Sequence, residues 1–140
     1  MEITAAKIHS ASPTMTRAAR RWPGRVITGI PVLFLAFDVV IKLIDPPMVA
    51  AASAQLGLPA NLSLGLGVVL LACLALYLVP RVAPLGAVLL TGYLGGAVLT
   101  HLRVGDPWLS HTLSPVYVGA LLWIGLYLRD HRVRRLVAPR

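Results

Sequence analysis

Long apolar runs, broken by short clusters of proline, glycine and charge, organise this chain. The first run extends from about Val26 to Ile44 and stops at Asp45-Pro46-Pro47, where two prolines remove backbone donors and fix φ. A second runs from about Leu62 to Val79 and ends at Pro80, before Arg81. A third covers roughly Val82 to Leu102 and a fourth roughly Leu113 to Leu128. Each approaches the span of about 20 residues that a helix needs to cross a bilayer. The fourth is short, and Trp123 and Tyr127 are expected to anchor it at the interface. The pattern predicts an all-α fold, an integral membrane four-helix bundle over residues 26–128.

Flanking segments complete the organisation. Residues 1–25 show no long hydrophobic period and read as a disordered or surface-lying basic tail; residues 129–140 form a second basic tail. A cleaved signal peptide is the rival reading for the first run. That run carries Asp38 and Lys42 and no small-x-small cleavage site, which favours a retained helix. Between the first two runs, the alanine-rich stretch Met48 to Leu58 is too short to span and predicts a short helix lying at the interface.

Composition agrees with lipid as the solvent. The hydrophobic fraction is 57%, the mean hydropathy +0.78 and the charged fraction 13%, against about 25% charged in soluble domains. Several spans occupy most of the 140 residues, so any chemistry sits in or beside the bundle. The net charge of +8 is concentrated in Lys7, Arg17, Arg20, Arg21 and Arg25 and in Arg129, Arg132, Arg134, Arg135 and Arg140. Basic ends that flank apolar runs are a topology signal and argue against nucleic acid as a partner. With Arg81 between the second and third runs, they place both termini in the cytoplasm. The first loop, Asp45 to Asn61, has no Lys or Arg, and the third has only Arg103, so both belong outside. Cys73 is the sole cysteine, which excludes an intramolecular disulfide and a CxxC redox cycle.

The polar residues that lipid must tolerate are few. Asp38 and Lys42 stand four apart, on one helix face and in the order that favours pairing. Each alone would cost on the order of 3 kcal/mol on insertion scales, so the pair should face the bundle interior, as a structural pair or as part of a site. Tyr93 and His101, eight residues apart, share a face of the third helix and can line a crevice that Tyr117 is placed to close. An apolar crevice with polar groups at its mouth suits a quinone, a lipid or another amphiphile. Aromatic residues at these depths also serve as interfacial anchors, above all Tyr127 and Trp108.

Gly92 and Gly96 make a small-xxx-small spacing, expected to pack against another helix of the bundle or of a second copy. His101, Asp106 and His111 cluster beside Arg103, but their separations match no familiar zinc pattern, and no metal is expected. Ser110 and Ser114 lack a Gly-x-Ser-x-Gly elbow, and phosphate loops and dinucleotide fingerprints are absent. No complete catalytic motif appears, so the residues assign no reaction.

Several phrases carry a resemblance. Leu33-Phe34-Leu35-Ala36-Phe37-Asp38 leads to Lys42-Leu43, followed by Gln55-Leu56-Gly57-Leu58-Pro59 and Leu76-Tyr77-Leu78-Val79-Pro80-Arg81. Then come Thr91-Gly92-Tyr93-Leu94-Gly95-Gly96-Ala97, Thr100-His101-Leu102-Arg103-Val104-Gly105-Asp106-Pro107, Pro115-Val116-Tyr117 and Gly125-Leu126-Tyr127-Leu128-Arg129-Asp130. With these, residues 31–136 resemble the DoxX-like family of bacterial four-helix membrane proteins. The resemblance implies a four-helix bundle in the inner membrane. Namesake members are small subunits of a thiosulfate:quinone oxidoreductase, and wider eukaryotic relatives act as membrane chaperones or cargo receptors. Relatives often carry a glutamate three positions after the glycine that corresponds to Gly67; this chain has Leu70 there, which leaves Asp38 as the only acid within a span. The candidates carried over are Asp38, Lys42, Tyr93, His101, Arg103 and Asp106.

Two functional readings follow. One is a quinone-associated subunit of a membrane oxidoreductase system, with quinone near Asp38, Lys42, Tyr93 and His101 and with His101 as a proton carrier. The other is a non-enzymatic scaffold or assembly factor that holds a membrane protein partner or anionic lipid through the glycine face and the basic tails. A transporter or channel would need a polar pathway that these spans lack.

Overall fold

The computed structural model describes residues 17–59 and 61–138, with side chains from Gly24 onward. Among these residues all regular structure is helical. The elements are α1 (Arg17–Ile44), α2 (Pro47–Gln55), α3 (Leu62–Leu78), α4 (Ala83–Val104), α5 (Ser114–Arg129) and α6 (His131–Val137), with a wide π-type turn at Trp108–Thr112 ahead of α5. The long helices close into a ring in which α1 and α4 each pack against both α3 and α5. Ring neighbours are antiparallel: Gly24 of α1 meets Leu128 of α5, Gly67 of α3 meets Lys42 of α1, and Gly86 of α4 meets Tyr77 of α3.

The packing is that of a protein solvated by lipid. Leu35, Leu70, Tyr77, Leu90, Leu122 and Leu126 fill the centre, while Leu33 and Leu99 stand 73% and 67% exposed on the outside. An exterior this rich in bare aliphatic side chains would be a large apolar patch in water and is ordinary in hydrocarbon. Three helical stretches are long and apolar enough to cross a membrane: Gly24–Ile44, Ala83–Val104 and Trp108–Arg129. At 17 residues α3 is shorter, about 25 Å by the helical rise.

Several expectations change. The helix expected from Val26 begins at Arg17, because Ala18, Ala19, Arg20 and Arg21 are strong helix formers; the rest of the expected tail, 1–16, lies outside the described residues. The basic segment after Leu128 includes a helix, α6, whose start is capped by the Asp130 carboxylate accepting the Arg132 N–H at 2.8 Å. The fourth apolar helix is not short, since the π-type turn extends it to 22 residues. Trp123 makes a contact that the sequence did not predict: its Nε1 donates to Thr91 Oγ1 of α4 at 2.9 Å, a bond between helices.

The glycine expectation is redistributed. A Cβ built at Gly92 or Gly96 meets nothing within 4 Å, so neither admits a neighbouring backbone of this chain. Close approach happens at Gly86, where a Cβ would collide with the Tyr77 backbone, and at Gly125, where it would collide with Thr28.

The basic end of the bundle is tied together by arginine. Arg129 donates to the Tyr77 carbonyl at 3.1 Å and lies over the Tyr77 ring, 4.6 Å from its centroid. Arg132 donates to the carbonyls of Pro80 and Arg81, at 2.5 and 3.1 Å, and pairs with Asp130 at 3.1 Å. Burial pushes the Asp130 carboxyl up, but the hydrogen bonds from Arg132 and the charges of Arg132 and His131 outweigh it and hold the group below its ordinary value.

Two outcomes follow. Gly86→Ala should destabilise the bundle by about 1–3 kcal/mol through overpacking, whereas Gly92→Ala should leave the melting temperature in detergent unchanged or raise it. Because the folded Asp130 titrates below its unfolded value, its contribution is full above about pH 4 and is lost as pH falls through the lowered value. Melting curves taken from about pH 6 down to about pH 2 should thus show a smaller acid loss in Asp130→Asn than in the parent.

Candidate functional site

The end of the bundle opposite the arginines, hereafter the polar end, collects most of the remaining charge. Asp38 and Lys42 are one turn apart on α1, and the Lys42 ammonium donates to the Asp38 carboxylate. The contact closes as the i, i+4 spacing requires. Their side chains remain 31% and 21% exposed, so the pair is not sealed into the core.

What they face is a cavity of about 490 Å³, within the range of small-molecule pockets. Its walls come from α1 (Phe34, Leu35, Asp38, Lys42), α3 (Leu62, Leu66), α4 (Gly92, Tyr93, Gly96, Ala97, Thr100, His101) and α5 (Ser114, Pro115, Val118), and Leu56 and Leu58 add to them from the stretch after α2. Four sequence candidates, Asp38, Lys42, Tyr93 and His101, therefore line one space. Tyr93, Ala97 and His101 fall at successive turns of α4, which explains how one helix reaches along the cavity. Gly92 and Gly96 line it as well, so their missing side chains widen the cavity and do not pack against a helix of this chain.

Arg103 and Asp106 lie outside these walls. Asp106 acts through its neighbour: its Oδ2 is 2.6 Å from His101 Nδ1. A five-residue separation would not normally pair on a helix, but α4 ends at Gly105 in the left-handed region, φ 74°. The Asp106 N–H then bonds back to the His101 carbonyl at 3.1 Å, the six-to-one closure of a Schellman turn, and Thr112 Oγ1 donates to the Asp106 carbonyl at 3.2 Å. His101 is thereby held by one ring nitrogen. Arg103 points elsewhere, donating from Nη2 to the Leu56 carbonyl at 2.6 Å. Tyr117 does not close the crevice; it is exposed on α5 and lines no part of the cavity.

Thr100, Leu56 and Leu58 were not among the sequence candidates. Thr100 adjoins His101, and its hydroxyl is spent on the Gly96 carbonyl at 2.9 Å. The signal for Leu56 and Leu58 was the glycine between them, which permits the left-handed turn, φ 67°, that directs the chain back over the bundle. Among the described residues no group of three or more His, Cys, Asp or Glu is placed to hold a metal ion.

Chemically, the cavity offers a long apolar body with a cation, an anion, a phenol and an imidazole on its walls. That set can donate to and accept from a small polar head while sheltering an apolar remainder.

Fold and cavity together define a helical multi-pass membrane protein with a pocket inside its bundle. The sequence model of the DoxX-like family matches residues 26–125, and the chain belongs to that family. Neither a curated protein nor a solved structure matches the chain.

Removing one partner of a poorly solvated ion pair costs more than removing both, because the survivor is left unpaired. Lys42→Gln and Asp38→Asn should each lower stability by about 1–3 kcal/mol, discounted for the partial exposure of the pair, and the double variant should lose less than the sum. A double-mutant cycle on unfolding in detergent reads this directly; additive losses would show that the pair carries no coupling.

Proposed function

We propose that this DoxX-like protein is a small quinone-associated subunit of a membrane oxidoreductase system. The observation that carries this reading is the cavity in which Asp38, Lys42, Tyr93 and His101 converge on otherwise apolar walls. A quinone has a flat head with two carbonyl acceptors and an apolar remainder. Lys42 and His101 would donate to the head, Tyr93 would flank it, and the leucines of α1, α3 and α5 would shelter the rest. Bound there, a quinone supplies an acceptor for electrons. The electrons would come from a membrane or membrane-associated protein partner, since Cys73 is the only cysteine and cannot form a dithiol couple.

The same reading assigns four spans, with α3 crossing as the shortest, in the inner membrane of a bacterial cell with both termini in the cytoplasm. The arginines gathered at the basic end support that orientation, and the polar end, where Arg103 lies, would face outward.

Quinone binding is measurable without the partner. A quinone at about 100 times its dissociation constant should stabilise the purified protein in lipid nanodiscs by about 2.7 kcal/mol, seen as a raised melting temperature. His101→Ala and Asp38→Asn should lose most of that shift while still folding. No shift with quinones of several tail lengths would refute the reading and leave a scaffold role.

A further inference from the structure

We infer that Arg103 is a positioning residue that latches residues 56–59, the stretch directly after α2, over the cavity, so that this stretch is a removable wall at the polar end. The inference deepens the proposed ligand-binding role and rests on it for its biological meaning.

Little else holds the wall. Helix α2 buries no residue, and its packing against α3 is slight. Yet Leu56 and Leu58, directly after it, form part of the cavity wall. Their position is set by two features. The first is a Schellman turn at Gly57, in which the Gly57 N–H bonds to the Ala54 carbonyl at 2.9 Å and the Leu58 N–H to the Ser53 carbonyl at 2.9 Å. That turn shapes the segment but does not fasten it to the bundle.

The second is the bond from Arg103 Nη2 to the Leu56 carbonyl at 2.6 Å. Leu56 caps α2, so its carbonyl lies at the negative end of the helix dipole, where a guanidinium is favoured. Arg103 comes from the last turn of α4, two residues beyond His101, and therefore joins the wall to the helix that carries the polar groups of the cavity. Arg103 is exposed, so water competes for it and the bond opens at modest cost. A strong bond would make a fixed strut; a solvent-accessible one makes a latch. The guanidinium also rests against Gly57, where a Cβ would lie 3.0 Å from Nη2 at a backbone angle that side chains rarely adopt. A methyl there would disturb the latch from the loop side.

The test needs no quinone. In a Cys73→Ala background, Ala97→Cys puts one thiol on the cavity wall, and its reaction with a charged methanethiosulfonate reagent is timed in nanodiscs, where both faces are reachable. Arg103→Gln and Gly57→Ala should each raise the rate by about tenfold, the effect of losing one charge-assisted hydrogen bond from a closed-to-open equilibrium. Arg103→Lys, a cation without the planar fork, should fall between. If Arg103→Gln does not give a folded, monodisperse protein, Arg103→Lys decides, because it keeps the cation and the Gly57 turn and removes only the planar fork. Unchanged rates in the folded variants overturn the latch. Faster rates without any quinone binding would leave the latch standing and remove only the quinone reading.

Discussion

In hydrocarbon no water is present to satisfy a backbone carbonyl, and each one left without a partner costs several kcal/mol. Helix interiors meet that demand by themselves; helix ends do not, and where the chain leaves the apolar layer several ends are closed by side chains or turns. The C-terminal end of α3 is closed by Arg129 and Arg132, which take the carbonyls of Tyr77, Pro80 and Arg81. That of α4 is closed by the turn at Gly105, and that of α2 by its own turn together with Arg103. Closing these ends fixes more than the backbone. The arginines of α5 and α6 bind the C-terminal segment to the α3–α4 loop, the Gly105 turn returns Asp106 to His101, and Arg103 brings Leu56 over the cavity.

The cavity itself is a consequence of the ring. Helices α1 and α4 stand at opposite corners, joined through α3 and α5, so any space between them falls on the bundle axis. Toward the basic end that space is filled by Leu35, Leu90, Leu122 and Tyr77. Toward the polar end, α4 offers Gly92, Gly96 and Ala97, too small to fill it. The same volume deficit that opens the cavity gives Asp38 and Lys42 somewhere to point other than lipid or close-packed leucine.

Periodicity and proline placement revealed the long helices, because in a lipid solvent the apolar run and its stop signals are nearly the whole specification of a span. The Asp38–Lys42 pair and the shared face of Tyr93 and His101 were equally visible, since both depend only on the rise and turn of one helix. What stayed hidden depends on two elements at once. Gly92-x-x-x-Gly96 looks like a packing motif in isolation, but which glycines lie against a backbone of this chain is decided by ring geometry, and the tightest approaches fall at Gly86 and Gly125. The partner of Trp123 on α4 and the role of Arg103 on α2 follow from tertiary placement alone. Asp106 is the intermediate case: its pairing with His101 is local, yet reading it needed the left-handed turn at Gly105 and not the helical spacing that failed to match.

Leu70 shows how the polar chemistry of this chain is distributed. It is fully buried in the core. Gly67, one turn away, lies against Lys42, with a would-be Cβ 3.0 Å from the Lys42 Cβ, so the antiparallel register sets Leu70 near the depth of Asp38. An unpartnered acid at that depth would need a counter-charge, and Lys42 is already engaged by Asp38. With leucine there, the mid-bundle packs as hydrocarbon, and the titratable groups gather within a few turns of the polar end: Asp38 and Lys42 on α1, His101 and Asp106 at the close of α4. In the basic half of the bundle, by contrast, helix ends are closed by arginine and the interior is close-packed leucine and tyrosine.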